Sequence, residues 1–313
     1  MALPVQLDGK LSLPVVVAPM FLVSWPELVI EACRAGVLGT FPALNARSPE
    51  ELREWLEKIS GAIGPKGSGG NVPSPAPYGV NIIAHRTNPR VEPDMDLVVE
   101  YEVPVVITSV GKPDKIVEAV HGYGGIVLHD ITTIDFAKRA VDGGVDGLIP
   151  VCAGAGGHAG TLNPFAAVPR IREFFDGVIA LAGCISDGRG VRAAETLGAD
   201  LAYIGTRFVA TKESVASPAY KQMLIDCEAK DLFYTPAFSG IPANMLRPSI
   251  VEAGLDPDRL PAKTEIDLGE EFNHAAKAWR DIWTAGQGVG SIHDSPPIAE
   301  LVARMGAEYK AAR

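Results

Sequence analysis

Val178-Ile179-Ala180-Leu181-Ala182-Gly183-Cys184-Ile185-Ser186-Asp187-Gly188 is followed by Gly198-Ala199-Asp200-Leu201-Ala202-Tyr203-Ile204-Gly205-Thr206-Arg207-Phe208. Each segment is a short apolar run that stops at a glycine, and Gly188–Leu197 between them has helical spacing, so the pair reads as strand, loop, helix, strand, loop. Gly198-Ala199-Asp200 falls where a glycine C-cap ends a helix before the next strand. Neither run alternates apolar with polar residues, which marks strands of a parallel sheet buried on both faces.

The same unit recurs towards the N-terminus. Apolar runs at Pro14–Pro19, Val37–Phe41, Tyr78–Ala84, Pro104–Thr108, Gly125–His129 and Gly147–Val151 join Val178–Ala182 and Leu201–Gly205 to make eight. Helical stretches lie between them: Ser48–Ile59, Pro113–Val120, Thr133–Val141, Pro164–Phe175 and Gly188–Leu197. Gly144-Val145-Asp146 repeats the glycine punctuation. Eight units close a barrel, and no G-x-G-x-x-G follows the first strand, so the expected fold is α/β, a (β/α)8 TIM barrel rather than an open dinucleotide-binding sheet.

Two stretches interrupt the rhythm. Gly61–Pro77 holds five Gly and four Pro and reads as a surface loop. Beyond Ser214 the period becomes helical, over Pro218–Ala229 and Leu268–Ala285, and a last helix spans Pro297–Ala311. The expected organisation is a barrel over 1–214, a small, mostly helical insertion over the barrel mouth at 215–290, and a C-terminal helix packed on the barrel within 291–313.

Among 313 residues, 47% are hydrophobic and 21% charged, which is ordinary for a globular protein. A formal charge of −10, from 28 basic and 38 acidic residues, repels phosphate backbones and argues against nucleic acid as a partner. The N-terminal stretch has no basic region before an apolar one, and no run is long enough for a membrane span, so a cytoplasmic setting is expected. Cys33, Cys152, Cys184 and Cys227 fit neither a metal-site spacing nor a disulfide framework. Cys152 and Cys184 fall near the expected site, but no partner base for a thiol nucleophile is apparent, and both read as small fillers.

In such a barrel the chemistry gathers in the loops after the strands, with a phosphate on those after strands seven and eight. Here these loops offer Ala182, Gly183 and Cys184, then Gly205 and Thr206. Glycines let main-chain amides converge on a phosphate, and their occurrence on consecutive strands favours that reading over simple tight turns. The loop after strand six, Ala153-Gly154-Ala155-Gly156-Gly157-His158-Ala159-Gly160, sets one histidine among small residues, where it can move a proton beside a flat ligand. His129 ends strand five and stands between ligand contact and scaffold. Ala18-Pro19-Met20-Phe21 can border a ring system, and Ala285-Gly286-Gln287-Gly288 can close over one.

These motifs, with Gly79-Val80-Asn81 and Asp187-Gly188-Arg189-Gly190, resemble the nitronate monooxygenase family, formerly 2-nitropropane dioxygenases, whose relatives include FMN-dependent enoyl-ACP reductases and NADH:quinone reductases. The resemblance covers nearly the whole chain. It implies a barrel with noncovalent FMN, His158 as the catalytic residue, and cofactor contacts from Ala18, Pro19, Met20, Phe21, Asn81, His129, Gly157, Ala182, Gly183, Cys184, Gly205, Thr206 and Gln287. It also implies a homodimer and, as co-substrate, O2 or NAD(P)H. Two positions depart from the family's pattern: Gly154 stands where relatives often carry Glu, and Gly183-Cys184 where they commonly have Gly-Gly.

The activity first expected is oxidation of alkyl nitronates with O2 to a carbonyl compound and nitrite. The alternatives are an NAD(P)H-dependent flavin reductase acting on a quinone or enoyl thioester, a flavin-free barrel isomerase or synthase that grips a phosphorylated substrate, and a non-enzymatic phospholigand-binding protein. No metal site is expected.

Overall fold

A computed structural model describes residues 3–64, 74–261 and 281–312. Eight parallel strands close a barrel: β1 (Val15–Val17), β2 (Leu38–Pro42), β3 (Tyr78–Ile83), β4 (Val105–Ser109), β5 (Ile126–Ile131), β6 (Gly147–Pro150), β8 (Val178–Ala182) and β9 (Leu201–Ile204), with β9 pairing back on β1. These are the eight runs expected from the sequence, shifted by at most a few residues at their ends.

The helices between them begin where side chains satisfy their first amides. Ser48 accepts from Glu51 N ahead of α2 (Pro49–Ile63), Thr133 from Phe136 N ahead of α5 (Ile134–Asp142), and Asp187 from Gly190 N ahead of α7 (Gly188–Leu197). Gly198 ends α7 at φ +113°, the left-handed cap that its sequence position suggested. The first turn of α2 therefore starts on the Ser48-Pro49 pair, and its apolar face of Leu52, Trp55, Leu56 and Ile59 is buried against the barrel's outer wall.

Strand alternation divides the core in two. Val16, Leu38, Val105, Ile107, Ile126, Leu128, Ile149, Val178, Ala180 and Leu201 fill the barrel interior, whereas Val80, Val106, Val127 and Ile179 face the helices. The C-terminal helix, Ile298–Ala311, buries Ile298, Leu301, Val302 and Met305 against Leu28 and Val191. Its closest approach is at Gly188, whose amide donates to Glu308 Oε2 at 2.9 Å and where a Cβ would overlap the Met305 carbonyl and Tyr309 amide.

Where helices were expected after Ser214, the structure also has strands. Helix α9 (Pro218–Asp226) is followed by β10 (Leu232–Thr235) and β11 (Ala243–Leu246), which pair antiparallel, and β11 in turn pairs with β7, the two residues Gly157–His158 of the loop after β6. The third strand comes from elsewhere in the chain, so local periodicity could not reveal this sheet. The helix expected over Leu268–Ala285 lies mostly outside the described residues.

Candidate active site

The C-terminal ends of the strands open into a cavity of about 1160 Å³. Alternation places Ala18, Asn81, Ser109, Asp130, Ala182 and Tyr203 on its floor, directly above the apolar interior. The floor is wired: Asn81 Nδ2 donates to Ser109 Oγ at 2.7 Å, and Ser109 Oγ donates to Asp130 Oδ2 at 2.6 Å. Asp130 Oδ1 is sealed from solvent and has no hydrogen-bond partner among the described residues, and burial pushes this carboxyl up to about 7. The first loop is fixed from below, since Asn45 accepts from Leu22 N at 2.8 Å and donates to the Met20 carbonyl at 3.1 Å. Pro19, Met20 and Phe21 thereby form one wall.

The corner at β8 and β9 has a different character. Gly183 at φ +123° and Cys184 at φ +61° are successive left-handed residues, a turn that aims main-chain amides into a concavity. Among the described residues, the amides of Gly183, Cys184, Gly205 and Thr206 have no protein acceptor. All four residues line the cavity. Converging, unsatisfied amides suit an anion such as a phosphoryl group, so the residues present fit the phosphate end of a nucleotide.

His158 reaches the same cavity from β7. The small sheet holds its loop from several sides: Asn244 Nδ2 donates to the Ala155 carbonyl at 2.7 Å, Tyr234 OH to the Ala159 carbonyl at 2.7 Å, and Ala159 N to the Pro242 carbonyl at 3.2 Å. The imidazole Nε2 lies 2.7 Å from Ser239 Oγ. Burial pushes its pKa down to about 4, so the ring is neutral at pH 7.

The cavity brings together His158 with Ala18, Pro19, Met20, Phe21, Asn81, Gly157, Ala182, Gly183, Cys184, Gly205 and Thr206. His129 lines it as well, but from the flank: it lies on the helix-facing side of β5, with Nδ1 2.7 Å from Thr108 Oγ1 and its pKa pushed down to about 4 by burial. Gln287 stands behind the wall formed by Gly286 and Gly288, its amide donating to the Gly154 carbonyl at 2.8 Å. Burial pushes the Cys152 thiol up to about 12 and raises that of Cys184, so neither offers a thiolate near neutrality. Sequence reasoning missed Asp130, Ser109 and Ser239. For Asp130 a signal existed, because it sits two residues beyond Leu128 and so faces inward.

The pattern of the nitronate monooxygenase family matches residues 8–308. The chain belongs to that family. A nitronate monooxygenase of Paraburkholderia phytofirmans is 30% identical, the match covering 95% of this chain and 92% of the relative. An octahydroindene-carboxyl-CoA dehydrogenase of Rhodococcus jostii is 26% identical over 77% of this chain and 64% of its own length. Among solved structures, FabK from Thermotoga maritima superposes with a TM-score of 0.77 at 26% identity, covering 96% of this chain and 94% of that one. The chain is accordingly an oxidoreductase of the nitronate monooxygenase family, and no described helix is long and apolar enough to cross a membrane.

Gly154 has φ +82°, and a Cβ there would come within 2.5 Å of Cys184 Sγ and 2.7 Å of Gln287 Oε1. The Cys184 and Gln287 side chains thus occupy the space that a Cβ at 154 would need.

Proposed function

We propose that the chain is an FMN-dependent oxidoreductase that oxidises alkyl nitronates with O2 to a carbonyl compound and nitrite. The observation that carries this reading is the set of unsatisfied amides at Gly183, Cys184, Gly205 and Thr206 on the same cavity as a neutral histidine. When bound, FMN supplies the redox chemistry, taking electrons from the substrate and passing them on. The four amides hold its phosphate, Pro19, Met20 and Phe21 border its ring system, and Asn81 presents its amide from the floor. His158, neutral at working pH, removes a proton from a nitroalkane or donates a hydrogen bond to a nitronate oxygen.

Two variants test the assignment. His158→Asn keeps FMN bound and slows turnover by roughly 10²- to 10⁴-fold, as loss of a general base does; loss of the flavin from that variant would make His158 structural. Gly205→Asp places a carboxylate at the anion corner. Gly205 has an ordinary φ of −104°, and its Cβ would meet Ala18 and Met20 no closer than 3.6 Å, so the fold tolerates the change. FMN retention should fall by more than tenfold at unchanged circular dichroism, while riboflavin, which lacks the phosphate, loses little.

A second reading is flavin-dependent turnover of a conjugated thioester or quinone with a nicotinamide co-substrate. The Rhodococcus relative, named for a carboxyl-CoA compound, favours it. Anaerobic mixing separates the two. Bleaching of the flavin by propionate 3-nitronate and not by NADH supports the first reading; bleaching by NADH, with reoxidation by an enoyl-CoA, supports the second.

A further inference from the structure

We propose that Ser109 and Asp130 form a ligand-binding pair: in its uncharged state the pair carries one hydrogen more than the protein uses, and it gives that hydrogen to a carbonyl oxygen of the flavin ring system. The assignment rests on the reading that the cavity holds a flavin. Both residues line the cavity and both are partly exposed there, Ser109 at the end of β4 and Asp130 within β5.

The hydrogens can be counted. Asn81 Nδ2 lies 3.3 Å from the Ile107 carbonyl and 2.7 Å from Ser109 Oγ. A carbonyl only accepts, so the Asn81 atom beside it is the nitrogen, and Ser109 Oγ receives from Asn81. Ser109 Oγ in turn lies 2.6 Å from Asp130 Oδ2, a contact that uses one hydrogen whether the hydroxyl or the carboxyl supplies it. A hydroxyl and an uncharged carboxyl together carry two, so one is left over. Asp130 Oδ1 is sealed from solvent with no partner among the described residues, and a hydrogen placed there would go unmet. The spare hydrogen therefore belongs to Ser109 Oγ or Asp130 Oδ2, where a ligand carbonyl satisfies it; a carboxylic acid held neutral serves as such a donor. Ionisation removes that hydrogen and leaves a negative charge and acceptors only.

The surroundings of Asp130 favour the uncharged form. Its one polar partner among the described residues is Ser109, and burial lifts the carboxyl to about 7. Tyr203 faces it from β9, while His129 turns to the helix side of β5 with its own value pushed down to about 4. His158, also pushed down to about 4, and Cys184, raised by burial, reach the cavity from the loops after β6 and β8. Lys112, Asp114, Arg139 and Asp142 border the cavity where they are solvent-exposed.

Riboflavin is the probe, because it has the ring system and lacks the phosphate, whose own second ionisation falls in the same pH range. Its binding to the flavin-free, full-length protein is followed by flavin fluorescence from about pH 5.5 to 8.5. Only the fraction of protein with an uncharged Asp130 offers the donor, so the wild-type affinity should hold steady on the acid side and weaken by roughly tenfold or more towards pH 8.5. Asp130→Asn keeps a donor and does not titrate, and should bind at every pH about as tightly as the wild type does at its acid limit. A wild-type affinity that changes by less than about twofold across the range, or an Asp130→Asn protein with the wild-type slope, overturns the proposal, and the wild-type profile decides it alone if the variant does not fold. A protein that binds neither FMN nor riboflavin at any pH ends the flavin reading and this assignment together. One that binds FMN while its riboflavin affinity is flat ends this assignment only.

Discussion

At residue 184 an L side chain occupies the left-handed region, a conformation that costs such residues about 1–2 kcal/mol. The adjacent Gly183 is left-handed too, and a turn built this way persists because its amides are needed pointing inward. The cysteine side chain is then directed at Gly154. Gly154→Glu alone should destabilise the protein by roughly 2–4 kcal/mol, through overpacking against Cys184 and Gln287 plus backbone strain at φ +82°. Cys184→Gly opens the space, so the double variant should recover roughly 1–3 kcal/mol of that loss while the strain at 154 remains. Urea unfolding of all four proteins measures the coupling. Strictly additive effects would show that the side chains at 154 and 184 do not compete.

Helix α7 and the C-terminal helix meet at a distance that only glycine allows. Gly188→Ala would drive a methyl group into the Met305 carbonyl and the Tyr309 amide and break the bond from Gly188 N to Glu308. Overpacking of this kind costs roughly 1–3 kcal/mol, and a thermal melt several degrees lower, with the C-terminal helix becoming sensitive to proteolysis first, is the expected result. The barrel elements were legible because each is local: Ser48-Pro49 and Thr133 announce helix starts, and an unbroken apolar run such as Val178–Ala182 suits only a doubly buried strand. The corner where the amides of Gly183, Cys184, Gly205 and Thr206 lack a protein acceptor among the described residues was legible for the same reason, being two short glycine loops on consecutive strands. What pairs across long separations was not. His158 was visible in its glycine-rich loop, yet the strand it joins lies beyond residue 240, and its partner Ser239 sits in a turn with no periodic signal. His129 illustrates the opposite limit, since a position at a strand end does not say which face the side chain takes, and alternation from Leu128 sends it towards the helices.

At the scale of the whole molecule, the buried groups His129, His158 and Asp130 make stability depend on pH. His129 and His158 have folded pKa values near 4 against an ordinary 6.5, so between these values the unfolded chain binds more protons, and stability falls as pH drops from 6.5 towards 4. For His129, 6% exposed, the full effect amounts to roughly 3 kcal/mol. Asp130 acts in the other direction: its folded value, about 7, lies above the ordinary 3.8, so the folded chain holds the extra proton, and stability is lost as pH rises through that window. Two histidines outweigh one carboxyl up to pH 6.5, and the opposing slopes cancel as both titrations finish, which places the stability maximum of the flavin-free protein at roughly pH 7. Asp130→Asn removes this opposing contribution and should steepen the rise in stability between pH 4.5 and 6.5, whereas His129→Asn should shallow it. Urea midpoints measured across pH 4.5 to 8.5 check both, and an Asp130→Asn curve parallel to the wild-type one would show that Asp130 is ionised in the folded protein.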